Sequence, residues 1–550
     1  MTELPPALLD NLAVLDEVNP MLARRIRWPC ASDHVARTDS GIVEYQVHRT
    51  WHRLSLTPEE VAHELREVDG GAVLLFGLGL GELLHPALER AEVVHAWERD
   101  PWLVRHALGA SDLEEPLRSG RLRLHLTTDL LALADGGIPA RVVIHPLLGD
   151  VYRQERRLLD GVLPRRAMLA TGGLLVDDVA DALRAEGLSP ISWDLRGWSA
   201  EELAHTARTA GAEVAVAINF THGLVEACAE LDLPVRVWEI DPATDEVAPH
   251  DEAVTSHARI GTWRASHVGV FQAAGFTDVL HLPLAANPER RSPRPLSEAE
   301  RDRYEAPVVF VGASMVDQAM EHRRRLVAAH VLGRGGDPSA AVEEVEAAIE
   351  FVLDAQREDF STYRVPELLA EVLPCLANPR SEAALQALGG DRPDALLGEL
   401  AAADKRITYV ANLGQVGAEV WGDEGWTHVE QYGAAWRGPA RHGDELSRIY
   451  STAGIHLDVG RIYQSDIVTM RVFDVLACGG FCLAEWSPEL ADYFVIGEEL
   501  DCYRTLEELL EKVEFWLEAG EERRRSVGRR GRQRVLRDHT IRQRVQRLLG

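Results

Sequence analysis

Short apolar runs alternate with stretches of helical periodicity along most of the chain. Residues 73–76 form one such run and enter Gly77-Leu78-Gly79-Leu80-Gly81. Leu83, Leu84, Ala87 and Leu88 then recur at helical spacing, and a second run over 93–97 ends at Glu98. Strand, glycine turn, helix and strand with a terminal acid predict a βαβ unit. Further strands over 122–126 and 141–145 extend it into a small Rossmann-like unit across residues 1–160. The alternation repeats over 165–290, with strands at 167–170, 191–194, 214–218, 235–240, 267–271 and 279–282 and helices at 176–186, 201–210 and 222–231. Repeated β-α order predicts a parallel sheet covered on both faces. A Pro- and Arg-rich stretch, 287–296, reads as a linker or an interdomain crossover.

The third segment, 305–550, opens with a strand at 307–311 that runs into Gly312-Ala313-Ser314. A helical insertion over about 321–404 follows, then strands at 407–411, 419–421, 454–457 and 480–484, and an Arg-rich helical tail over 506–549. No repeat of solenoid period is present. The predicted fold class is therefore α/β, with three Rossmann-like units.

Composition narrows the function classes. The 550 residues are 46% hydrophobic and 27% charged, which excludes wholesale disorder. The formal net charge of −30 sets most of the surface against phosphate backbones. No nucleic-acid partner is expected, whereas a local basic pocket for a phosphorylated small molecule is compatible with the charge. The six cysteines are scattered without a CxxC, so neither a zinc ribbon nor a disulfide framework is predicted. The opening MTELPPALLDNLAVLDEVNP is acidic where a signal peptide is basic. No stretch reaches the roughly 20 apolar residues of a membrane span, so a soluble, cytoplasmic protein is expected.

Three groups of residues carry candidate chemistry. Gly77, Gly79 and Gly81 with Glu98 form a loop-and-acid pair of the kind that binds nucleosides, the glycines approaching the ligand and the acid taking ribose hydroxyls. S-adenosylmethionine binding or methyl transfer is one reading of this pair, although Ile144-His145-Pro146-Leu147-Leu148 lacks the acceptor-side motif of many such enzymes. The second group is Asn219-Phe220-Thr221-His222-Gly223, just beyond a strand. His222 there is placed as a catalytic base or an acceptor contact, with Asp241 after the next strand as a second catalytic candidate facing the same cleft.

The third group is Arg461-Ile-Tyr463-Gln-Ser-Asp466, followed by Arg471-Val-Phe-Asp474 and Gly479-Gly480. Arg471 suits a diphosphate, because its planar fork matches phosphate oxygens. A carboxylate at 474 suits two ribose hydroxyls, and the glycine pair allows close approach. Asp466, eight residues earlier, is a second acid near the same helix and a candidate catalytic residue, and Arg461 and Tyr463 are candidates for donor binding. Gly312 and Ser314 offer backbone N–H groups to phosphate, and the Gly422-Asp423 loop before Trp426 is placed to cover a base.

These residues resemble the carboxyl-terminal domain of CgeB-like glycosyltransferases, the spore-maturation-protein family. The matching pieces are Val309-Phe-Val-Gly312, Ala418-Glu-Val-Trp-Gly-Asp423, Ile455-His-Leu-Asp458, Met470-Arg-Val-Phe-Asp474 with Cys478-Gly-Gly480, and the tail from Glu521-Glu-Arg to Thr540. The segment 165–290 is similar to that family's amino-terminal domain, and Phe76-Gly-Leu-Gly-Leu-Gly81 with Glu98 resembles the Maf-like flagellin glycosyltransferases. The resemblance implies that the last two units form a GT-B pair and transfer a sugar, a hexose by expectation, from a nucleotide-sugar donor. No metal or other cofactor is required in such enzymes, and the acceptor is unspecified. It also implies Arg471 on the diphosphate and Asp474 on the ribose, where retaining GT-B enzymes carry Glu-x7-Glu and this chain has Asp466-x7-Asp474. The alternatives are a methyltransferase or S-adenosylmethionine-binding amino-terminal domain, and a non-catalytic sugar-nucleotide-binding protein.

Overall fold

The computed structural model describes residues 5–27, 35–38, 41–47, 50–221, 223–240, 247–376, 379–389, 392–441 and 443–550, without the side chains of 373–376. It divides into two compact units, Met1–His281 with Val545–Gly550, and Leu282–Arg544.

The first unit holds two parallel sheets. One runs in the order Leu122–Leu126, Val93–Glu98, Ala72–Phe76, Arg141–Ile144. The other runs Val279–His281, Ala258–Thr262, Val235–Glu239, Val214–Ile218, Arg165–Ala170, Leu188–Trp193. A three-stranded antiparallel sheet, Val35–Arg37, Val43–Val47 and Thr50–Arg53, completes the unit. The two parallel sheets share one apolar core, in which Phe76, Trp97 and Tyr152 lie with Met168, Ile191, Val235 and Phe271.

Arg25 ties the same unit together with charge. Its guanidinium donates to Glu202 at 2.6 and 3.0 Å, to both oxygens of Asp129 at 3.0 Å, and to the Leu126 carbonyl at 3.0 Å. Glu202 is fully buried, so the pair is held by hydrogen-bond completeness, the condition under which a buried ion pair is tolerated.

The second unit carries the third sheet, in the order Ala435–Trp436, Ala418–Trp421, Val308–Val311, Ile455–Leu457, Phe481–Glu485, Asp501–Tyr503, parallel throughout. Its strands read as unbroken apolar runs because both faces are covered. Val308, Val309 and Phe310 are each about 1% exposed. The chain enters at Val308–Val311, fills one side, and returns to Ile455–Leu457 to fill the other. The order therefore reverses between those two strands.

The protein is thus α/β with three parallel Rossmann-like sheets, a helical insertion and a helical tail. The tail helices are Leu506–Glu518, Glu521–Asp538 and Ile541–Leu549. Several of the tail arginines are spent on carbonyls. Arg524 donates to Ala453 and Trp516, Arg530 to Glu498, and Arg532 to Ala477.

Two predicted strands are corrected. Residues 267–271 lie in the helix His267–Ala273, and the strand in that place is Ala258–Thr262. That strand's Ala-Arg-Ile-Gly-Thr lacks an apolar run and gives no periodic signal. Residues 407–411 end the helix Pro393–Asn412. Their β-branched residues suggest a strand, but Tyr409 and Val410 are buried on the helix's packed face, and tertiary packing overrides propensity. The insertion accordingly spans Val316 to Asn412.

Candidate functional site

One local device recurs in all three parallel sheets. The strand Ala72–Phe76 continues so that Gly77 N–H donates to Trp97 O, and the next N–H, of Leu78, donates to Glu98 at 2.7 Å. After Val214–Ile218, Asn219 N–H donates to Trp238 O and Phe220 N–H to Glu239 at 2.7 Å. After Val308–Val311, Gly312 N–H donates to Trp421 O and Ser314 N–H to Asp423 at 2.7 Å. In each case an acid just beyond a Trp closes one strand and clamps the loop leaving its neighbour. The repeated Trp-Glu, Trp-Glu and Trp-Gly-Asp of the sequence is the signal that identifies this device.

The clamp changes the reading of the first sheet. Glu98 is fully buried, and its oxygens accept from the Leu78, Arg99 and Asp100 N–H groups and from the Tyr152 hydroxyl. Burial raises its pKa, against those hydrogen bonds. The ribose contact expected of Glu98 is thus occupied by protein donors. The order of this sheet reverses between Ala72–Phe76 and Arg141–Ile144, and His145 fills that place. A Cβ on Gly79, whose φ is +54°, would meet His145 Nε2 at 2.5 Å. The glycine loop is therefore closed against an imidazole, which burial keeps neutral by pulling its pKa down to about 4.

The third sheet is built differently at the corresponding position. Open α/β sheets bind ligands beyond the carboxyl ends of the strands, where the strand order reverses. Here Arg471, from the helix Met470–Ala477, reaches that point. It donates from Nε to Val311 O at 2.7 Å, pairs through Nη1 with Asp458, and lies 4.5 Å from the centre of the Phe310 ring. Asp458, just past Ile455–Leu457, also accepts from the Thr469 hydroxyl at 2.7 Å. A Cβ on Gly312 would stand 2.6 Å from Arg471 Nη2 and 3.2 Å from the Phe310 ring, so a side chain there would displace the guanidinium.

Arg406, from the helical insertion, donates to Ala313 O at 2.8 Å, two residues along the same loop. Arg461 lies close enough to act on its charge. Arg461 itself donates to the Tyr463 hydroxyl at 2.9 Å and pairs with Glu399 at 3.5 Å. Behind them Lys405 pairs with Glu485, which also accepts from Gly460 N–H at 3.1 Å.

Several predicted site residues have structural partners here. Ser314 is buried, and its hydroxyl, like its N–H, is bound to Asp423. The N–H groups of Gly312 and Ser314 expected to meet phosphate are thus taken by Trp421 and Asp423. Asp423 also accepts from Gly425 N–H at 3.1 Å, capping a short helix. Trp426 is buried and donates to Gly312 O at 2.7 Å, so it belongs to the core. Gly422 is bound on both sides, to Gly438 O and the Trp436 indole.

Gly479, with φ +78°, and Gly480 donate back to Leu476 and Val475. Together they end the helix as a Schellman cap. Asp474 is no surface acid: it is 6% exposed and accepts from Arg291 Nε at 3.1 Å. Asp466 precedes the helix, in the turn before Met470. His222 and Asp241 lie outside the described residues. Sequence reasoning missed Arg406, which sits in a helix without any motif, and gave no role to Asp458.

Residues 401–550 match a family model described as "Glycosyl transferase-like". No curated protein matches the chain. Among solved structures, a glycosyltransferase from Rickettsia africae is similar at 9% identity over 70% of this chain and 97% of that one, with a TM-score of 0.37. Anabaena HepE, solved in complex with UDP, is similar at 9% identity over 70% and 98%, with a TM-score of 0.37. The MAf glycosyltransferase from Magnetospirillum magneticum aligns at 13% identity over 54% and 59%, with a TM-score of 0.22. At such scores the structural likenesses carry no weight for function. Among the described residues no helix is long and apolar enough to cross a membrane.

Proposed function

We propose that the protein is a nucleotide-sugar-dependent glycosyltransferase of GT-B type, working without a metal, with its donor at the carboxyl ends of the third sheet. The observation that carries this reading is Arg471 at the reversal point between Val308–Val311 and Ile455–Leu457, inside the stretch that matches the glycosyltransferase-like model. A guanidinium there stabilises the charge that develops on a departing diphosphate. In the transfer, the bond between the anomeric carbon and the diphosphate oxygen breaks. The acceptor's nucleophilic atom forms the new bond and gives up its proton, and nucleoside diphosphate leaves.

In this reading the sheet of 165–290 serves the acceptor, with His222 and Asp241 proposed for its proton, and the cytoplasm is the proposed compartment. Asp474 is proposed for the ribose, which requires its Arg291 pair to open. A CgeB-like parentage and hexosyl transfer belong to the same proposal. S-adenosylmethionine chemistry in the first unit has less support, because Glu98 and the glycine loop are already filled.

The test is turnover. The full chain is incubated with UDP-, GDP-, ADP-, CMP- and dTDP-sugars, and released nucleotide is measured for the wild type and Arg471→Met. Release from one donor, lost in the variant, supports the reading. Donor binding without release would leave a sugar-nucleotide sensor, and no response to any donor would refute it.

A further inference from the structure

Two of the three arginines around the Val311–Ser314 loop are paired with acids. Asp458 pairs with Arg471, and Glu399 pairs with Arg461. Among the described residues no carboxylate pairs with Arg406: it donates to the Ala313 carbonyl, and its Nε meets no partner. Yet Arg406 is only 8% exposed. Burying a guanidinium half-satisfied is costly, because a buried charge is stable only when paired and hydrogen-bonded.

The neighbours add to that cost. Burial first, then Arg471 and Arg461, lowers the Arg406 pKa to about 9, with Asp458 opposing, so it remains charged at neutral pH beside two like charges and the one acid that Arg471 already holds. A site that holds a surplus buried cation at the carboxyl edge of a parallel sheet is complete only with an anion in it. Arg406 and Arg471 grip carbonyls two residues apart on one loop, Ala313 and Val311.

We propose that Arg406 is a second phosphate-binding guanidinium, supplied by the helical insertion, which with Arg471 holds the diphosphate of a nucleoside-diphosphate donor. This rests on the donor reading above and adds a residue that no motif marks. It also gives the insertion a role: the helix Pro393–Asn412 delivers to the site a charge that the sheet and its loops do not.

Calorimetric titration of the full chain tests it, with UDP, GDP, ADP and dTDP, their parent nucleosides, and inorganic pyrophosphate. The variants are Arg406→Met, which keeps the aliphatic stem, and Arg406→Lys, which keeps the charge; melting midpoints without ligand report on folding. Arg406→Met is expected to bind the preferred nucleoside diphosphate about 10- to 100-fold more weakly, from the loss of one charged hydrogen-bonding group. Its binding of the nucleoside stays unchanged and its melting midpoint without ligand does not fall, because a costly buried charge is removed, and the diphosphate affinity of Arg406→Lys falls between.

Unchanged diphosphate affinity in Arg406→Met overturns the proposal while leaving the donor reading standing. An equal loss for diphosphate and nucleoside, or a variant that fails to fold while Arg406→Lys binds as the wild type does, assigns Arg406 to holding the loop and also overturns it. If the wild type binds pyrophosphate through Arg406 but no nucleotide, the donor reading falls and the anion site remains. If it binds neither, both fall.

Discussion

Replacing Arg471 by Met has two effects that must be separated. In the free protein Arg471 is the cationic partner of Asp458, whose residue is 3% exposed. Without it, the Asp458 carboxylate keeps, among the described residues, one side-chain hydrogen bond, from the Thr469 hydroxyl at 2.7 Å, and the charge of Arg406 nearby. Breaking a buried pair from one side costs about 3–5 kcal/mol. Met still covers the Phe310 ring, so packing loss adds little. At about 2–4 °C per kcal/mol for a chain of 150–250 residues, and the second unit is of that order, the melting midpoint is expected to fall by on the order of 10 °C. Adding Asp458→Asn removes the stranded charge and keeps an acceptor for Thr469, so the double variant recovers most of the loss. Thermal melts followed by tryptophan fluorescence, with urea titrations alongside, measure both steps. An Arg471→Met protein that melts with the wild type, or a double variant no more stable than the single, would refute this account of the pair.

In the first unit, Arg25→Met is expected to cost about 3–5 kcal/mol by leaving Glu202 buried and unpaired. Glu202→Gln in the same background recovers part of it in urea titrations, and strict additivity of the two would contradict the coupling. Gly79→Ala forces a Cβ at positive φ into His145 and is expected to destabilise by about 1 kcal/mol or more. Millimolar S-adenosylmethionine is expected to leave the melting midpoint of the wild type unmoved, and a clear stabilisation would reopen the methyltransferase reading. His145, His456 and His539 are each lowered to about 4, foremost by burial. As pH falls through about 6.5 the unfolded chain protonates them first, so stability present above 6.5 is lost progressively towards 4. The loss is on the order of 1 kcal/mol per group per pH unit. Urea midpoints that stay flat between pH 6.5 and 5 would contradict it.

Much of the fold is legible in the sequence because parallel strands covered on both faces leave unbroken apolar runs. The runs at 73–76, 214–218 and 307–311 all begin or fill strands. Where a strand lacks that run, as in Ala258–Thr262, the pattern is silent. Where β-branched residues end a long helix, as at 407–411, local propensity misleads, because burial of Tyr409 and Val410 decides the outcome. The site divides in the same way. Arg471 stands in a recognisable pattern before a Gly-Gly cap. Arg406 becomes notable only when the insertion folds back over the Val311–Ser314 loop, about 90 residues away along the chain. The acids Glu98 and Asp423 are visible as candidates, but their occupation by Leu78 and Ser314 N–H groups depends on which loop each strand end faces.

The most direct measurement is thermal stabilisation by a panel of UDP-, GDP-, ADP-, CMP- and dTDP-sugars, on the wild type and on the Arg471→Met/Asp458→Asn double variant. The double variant is chosen because its fold is expected to survive. A donor at 100 times its dissociation constant adds about 2.7 kcal/mol. The account predicts that one nucleotide sugar stabilises the wild type and none stabilises the double variant. Stabilisation of both alike, or of neither, would contradict a donor site at Arg471.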